Sequence, residues 1–203
     1  TGERMTARVP LVDRIGENDS FDLVVVAMQR NNRIDVCKDL ACNPNLPNVL
    51  FLGNDVEGFH RYFDYLPRRN VLLGFHGVGG GWRANEIVVM DREDPDGPRG
   101  EIFFGEIDGV KRMRTWLIGK LFEAAGIKVH HERDIDGWLK YHFAFMAPTA
   151  AAILEKSGDL GAVAGDPELI HRYCRACREA GDVLRKVGYH RRQPGIFNLY
   201  YWL

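Results

Sequence analysis

Cysteine is scarce in this sequence: Cys37, Cys42, Cys174 and Cys177 are the only four thiols among 203 residues. That is too few for a disulfide scaffold. The two pairs lie far apart with no glycine-rich knuckle beside either, so no zinc site is expected. Cys174 and Cys177 share one helix face through their i, i+3 spacing, as two small apolar residues would. Serine is scarcer still, with only Ser20 and Ser157 present, and neither lies in a G-x-S-x-G elbow. The histidines (60, 76, 130, 131, 142, 171, 190) form no HxxxH or HExxH pattern, so metal catalysis is not expected. Excess charge is also missing, because 27 Lys and Arg offset 28 Asp and Glu to a net −1. Such a balance gives no reason to expect nucleic acid or an acidic membrane as a partner. No apolar run approaches the roughly 18 residues of a membrane-spanning helix, and no signal sequence opens the chain. These absences predict a soluble, cytoplasmic protein.

What is present is ordinary globular usage, 45% hydrophobic and 27% charged. FDLVVVAMQ (21–29), NVLFLGN (48–54) and NVLLGFH (70–76) read as buried parallel strands. Helical patterns separate them: RIDVCKDLAC, and then the amphipathic EGFHRYFDYL, which Pro67 ends. This alternation predicts an α/β sheet with right-handed crossovers. EIVVMD and GEIFFGE, joined by REDPDGPR, read as an antiparallel hairpin added to that sheet. GVKRMRTWLIGKLFEAAG (109–126) reads as a helix with Gly126 at C′, and IKVHHE (127–132) as a short strand. Beyond about residue 133 everything reads as helix, with Pro148 expected to end or kink the first and Pro167 opening the next. The chain begins TGERMTARVP and ends on the apolar FNLYYWL; both ends read as cut, which predicts a fragment.

Three candidate features stand out. GVGGG (77–81) reads as a flexible glycine connection rather than a phosphate cradle, because Trp82 holds the sixth position and a strand follows. Asn54 ends a strand where open α/β sheets bind ligands, and its amide can donate and accept. The alternative is an asparagine turning the chain through the left-handed region. Lys140 lies among aromatic and aliphatic residues on a helix, so its ammonium must snorkel, pair or lose its charge. One and two turns onward that face carries Ala144 and Pro148, neither of them polar.

The ordered set FDLVVVAMQ, VLFLGN, NVLLGFHGVGGG, FFGEIDG, LFEAAGIKV and DGWLKYHFAFMAP resembles the ketopantoate reductase family. The likeness runs over most of residues 21–186 and is strongest at FGEIDG and at Trp138-x-Lys140. It implies the C-terminal part of a Rossmann-like dinucleotide-binding domain over residues 1–132. The start of an all-helical substrate and dimerisation domain would occupy 133–203. The implied activity is NADPH-dependent reduction of a 2-oxo acid, as in 2-dehydropantoate 2-reductases of pantothenate biosynthesis, with a homodimer left open. By that resemblance Asn54 binds the cofactor beside its nicotinamide, and Lys140 is the catalytic general acid on the substrate carbonyl. Gln29 stands where the family has a lysine, and Ala144 and Pro148 where it has asparagines. The family's G-x-G-x-x-G and its late substrate contacts have no counterpart in this chain. A non-catalytic relative that serves binding or assembly is the alternative expectation.

Overall fold

The computed structural model describes residues 6, 8–28, 32–84, 86–89 and 100–190. The chain divides into two compact units, one comprising Thr1–Gly53 with Gly58–Ile135, the other Asn54–Glu57 with Asp136–Leu203.

The first unit is built on the three apolar runs. They form strands β1 (Val24–Ala27), β2 (Val49–Leu52) and β3 (Val71–His76), paired in parallel in that order. All four residues of β2 are buried, as a strand covered on both faces requires. Helix α1 (Arg33–Leu40) connects β1 to β2. The expected helix between β2 and β3 is only a 3₁₀ turn, His60–Asp64. The segment enters through Gly58 at φ +90° and stops before Pro67, which leaves room for little more than a single turn. Within it Tyr62 turns inward and stacks on Phe51, centroids 4.2 Å apart.

The expected hairpin is corrected by the structure. The EIVV run forms β5 (Glu86–Val89), whose partner is β4 (Gly80–Arg83), in a separate antiparallel ribbon. The glycine string therefore runs into a strand instead of acting wholly as a connection. EIFFGE forms β6 (Glu101–Glu106), antiparallel to β3, and β7 (Lys128–His131) runs parallel to β6. The five-stranded order is β1-β2-β3-β6-β7. Burial decides this pairing. Ile102 and Phe104 of β6 join Leu50, Leu52 and Leu72 in the core, whereas Ile87 of β5 stays 67% exposed. Gly74 makes the close approach possible, since a Cβ there would sit 2.8 Å from the Phe103 carbonyl and 2.9 Å from the Phe104 Cβ. Helix α2 (Met113–Ala124) links β6 to β7 and adds Ile118 to the core. Gly126, at φ +77°, ends it as expected.

At the amino ends of β2 and β3 lies a cavity of about 880 Å³. Its wall is a polar brace. Buried Glu106 accepts from Arg114 Nε (2.7 Å) and from the Thr115 hydroxyl (2.9 Å). Arg114 also donates to the Arg69 carbonyl and to Asn48 Oδ1. Two strand ends and the start of α2 are thereby tied through one carboxylate.

The second unit holds α3 (Ile135–Glu155), α4 (Leu160–Ala164) and α5 (Pro167–Lys186). Pro148 does not end α3, which continues to Glu155. The proline cannot donate to the Ala144 carbonyl; in the same turn the Thr149 hydroxyl donates to the Phe145 carbonyl at 2.8 Å. The α5 start is the expected one, with Pro167 in the first turn and Asp166 accepting from the Leu169 N–H at 2.9 Å. Phe145 meets Tyr173 edge-on at 6.2 Å, which joins α3 to α5. Among the described residues no helix is long and apolar enough to cross a membrane.

Candidate functional site

The carboxyl ends of β1 and β2 are held by a residue that sequence reasoning missed. Arg33, at the start of α1, is 2% exposed. Its Nη2 donates to the Leu52 carbonyl at 2.6 Å, and Nε and Nη2 both reach the Met28 carbonyl at 3.2 Å. One guanidinium thus bonds the last carbonyl of β2 and the carbonyl of the residue that follows β1. Gly53 follows at φ +122°, and a Cβ there would lie 2.5 Å from Arg33 Nη2. Only glycine combines that backbone with that approach.

Asn54 is the next residue. The left-handed reading of Asn54 is not what the structure shows: among the described residues, positive φ outside glycine occurs only at Ala84 and Ser157. Gly53 makes the turn instead, which frees Asn54 from that local duty. Asn54 and the buried Asp55 belong to the compact unit that contains α3, as does Lys140. Gln29 lies outside the described residues.

Lys140 does not snorkel. It keeps 9% of its exposure and pairs with Asp136, one turn earlier on α3. Long helical side chains lean toward the helix N-terminus, so i−4 is the position its ammonium reaches. The polar partner absent from the forward positions 144 and 148 is therefore present behind. The other Asp136 oxygen accepts from the Tyr189 hydroxyl at 2.7 Å. The Lys140 Nζ also lies 4.9 Å from the Tyr189 ring centroid, a cation–π distance. Tyr189 is held in turn: the Tyr141 hydroxyl donates to its carbonyl at 2.6 Å. Gly188, at φ +97°, closes α5 in a Schellman turn, with the Tyr189 N–H bonded to the Leu184 carbonyl at 2.9 Å. Burial, then the Asp136 hydrogen bond, raises the Tyr189 phenol above its ordinary value, so it stays a donor at neutral pH.

The surroundings of this cluster are largely apolar. Leu139 and Tyr141 are buried, and Ala144 keeps 7% exposure. Trp138 stacks on His142 with centroids 4.9 Å apart, and burial pushes the His142 imidazole down to about 4. Near neutrality that ring is uncharged, and Lys140 is the cation of this stretch of α3. The arrangement can present one ammonium, paired with a carboxylate, to an oxygen that gains negative charge. Asp136 was legible as an acidic residue at i−4. Tyr189 gave no local signal, being 53 residues from Asp136 in sequence.

No family model matches the sequence, and no curated protein matches it. Solved structures do. The fold matches a 2-dehydropantoate 2-reductase from Porphyromonas gingivalis with TM-score 0.67 at 19% identity, over 89% of this chain and 61% of that one. A D-mandelate dehydrogenase, solved with NADH and anilino(oxo)acetate, matches with TM-score 0.76 at 12% identity, over 98% of this chain and 62% of its own. A dimeric ketopantoate reductase from Staphylococcus aureus matches with TM-score 0.65 at 14% identity, over 89% of this chain and 59% of its own. The chain has the α/β fold of these reductases and spans about three-fifths of their length. The resemblance read from its motifs is thus borne out at the level of fold.

Proposed function

We propose that this chain belongs to an NAD(P)H-dependent reductase of a 2-oxo acid, of the ketopantoate reductase type. The observation that carries the reading is Lys140, an ammonium buried on an apolar helix yet charge-paired through Asp136, at the position the sequence resemblance assigns to the general acid. The residues fit one end of a dinucleotide. Arg33 and Gly53 shape a tight turn after β2, and the Asn54 amide that follows can bond a carboxamide or a ribose hydroxyl. Residues 80 and 81 of the glycine string are spent on β4, so that string is not the pyrophosphate cradle.

Bound NAD(P)H supplies a hydride to the carbonyl carbon. Lys140 donates a hydrogen bond to the carbonyl oxygen, stabilises the negative charge that grows there, and gives it a proton. Asp136 pairs with the ammonium before that transfer, and the apolar residues around it exclude water, which strengthens the interaction. Asn54 orients the nicotinamide or the carbonyl. Ala144 and Pro148 offer no side-chain hydrogen bond to a substrate, a feature that also suits a non-catalytic binding relative. The test is NADPH and NADH oxidation by the protein in its complete reading frame against a panel of 2-oxo acids, ketopantoate included. Turnover of one or more acids that disappears in Lys140→Met supports the reductase. No turnover with either cofactor, together with no upstream G-x-G-x-x-G, favours the binding protein.

A further inference from the structure

We infer that Asp136 and Tyr189 are positioning residues for Lys140, a two-sided clamp that fixes where its ammonium points. The inference rests on Lys140 acting as the general acid, but its geometry stands without that role. A lysine side chain has four rotatable bonds and loses much freedom when held in one place, so an ungripped ammonium on this face would sample many positions. Here two directions are taken. Asp136 Oδ1 accepts from Nζ, and the face of the Tyr189 ring covers it at 4.9 Å.

The clamp is itself braced from two elements. The Tyr189 hydroxyl donates to Asp136 Oδ2 at 2.7 Å, which stops the carboxylate from rotating away from the lysine. The Tyr141 hydroxyl, one position beyond Lys140 on α3, holds the Tyr189 carbonyl at 2.6 Å. The Gly188 turn sets the direction in which the chain leaves α5. Lys140, Asp136, Tyr189 and Tyr141 therefore form a closed loop of contacts between α3 and the segment after α5. An ammonium has three N–H donors, and Asp136 takes one of them, so the clamp orients Lys140 without exhausting it. Among the described residues, the titratable groups that touch the ammonium are Asp136 from α3 and Tyr189 from beyond α5. Their contacts differ: the carboxylate takes one N–H of the ammonium and the ring covers it.

Competitive amine labelling of the 203-residue chain, read by mass spectrometry, tests this directly. Lys38 and Lys120, both well exposed, serve as internal references. In Asp136→Asn, Lys140 should label at least about threefold faster than in the parent chain at fixed pH, because no carboxylate holds Nζ in place. Asp136→Glu should restore the parent rate, which a merely structural role for position 136 would not require. In Tyr189→Leu, Lys140 should label at least about threefold faster than in the parent chain at fixed pH, because the ring no longer covers Nζ. An unaltered labelling rate in Asp136→Asn with an unchanged circular dichroism spectrum overturns the clamp. Should that variant not fold, an unaltered labelling rate in folded Tyr189→Leu overturns it instead. In the complete protein Asp136→Asn should lower kcat about tenfold or more with little change in KM. Faster labelling without any 2-oxo acid turnover would leave the clamp standing and remove the reductase reading. Turnover combined with unaltered labelling would do the reverse.

Discussion

Replacing Lys140 by Met isolates the ammonium, because the substitution keeps an unbranched stem and removes only the charge. Lys140 is 9% exposed, so its stem is already buried and a methionine stem of similar length largely retains that packing. Two opposing electrostatic effects follow. Asp136 loses its ion pair, yet its side chain is 19% exposed and it keeps the Tyr189 hydroxyl as a donor. Removing a partner from a fully buried pair costs about 3–5 kcal/mol. Here water still reaches the carboxylate, and an ammonium no longer has to be desolvated. The net change in stability should therefore stay within about 1 kcal/mol, a melting shift of roughly 2–4 °C for a chain of this size. Activity should respond on another scale. Loss of a positioned general acid lowers kcat/KM by about 10²-fold or more, or about 2.7 kcal/mol of transition-state stabilisation. Thermal melting and NAD(P)H oxidation on one purified variant measure both. A fully active Lys140→Met would refute the assignment. So would a variant that loses activity only in proportion to a collapse in melting temperature.

Three further outcomes follow from other contacts. His142 is held near pKa 4 by burial against an unfolded value near 6.5, so the unfolded state binds the proton first. Its contribution should be complete above about pH 6.5 and decline as pH falls toward 4, by at most about 3 kcal/mol in total; His142→Phe should flatten that part of the stability–pH curve, and an unaltered slope would refute the account. Glu106→Ala should destabilise the first unit by about 3 kcal/mol, since it strips the partner of Arg114 and of the Thr115 hydroxyl in a buried brace; urea unfolding of the variant checks it, and a loss under about 1 kcal/mol would show the brace to be ornamental. Gly53→Ala should cost about 1–3 kcal/mol through its φ of +122° and the collision with Arg33 Nη2, with melting temperature as the readout; a neutral result would mean that Arg33 moves aside freely.

Local sequence determined much of this protein. The apolar runs at 48–54 and 70–76 became the buried strands β2 and β3, because an unbroken apolar run suits a strand covered on both faces. The run at 21–29 also became a strand, but β1 ends the sheet order and leaves Val25 42% exposed, so the full burial expected of it is not what the structure shows. Asp166 followed by Pro167 set the start of α5, and Gly126 set the end of α2, since capping depends on a few neighbouring residues. Lys140 could be singled out because an ionisable side chain among apolar neighbours is conspicuous on a helix. The partners were another matter. EIVV and EIFFGE are both plausible strands, and only competition for the core assigned EIFFGE to β3 and left EIVV to pair with β4. Of the two outcomes expected of Pro148, ending α3 is not the one taken: the helix runs on to Glu155, and in that turn the Thr149 hydroxyl donates to the Phe145 carbonyl. The ring that covers Lys140 and the guanidinium beneath Gly53 come from residues distant in sequence. Their positions depend on how the helix and strand ends stack, and no local pattern of polarity encodes a contact between side chains brought together only by the folded chain.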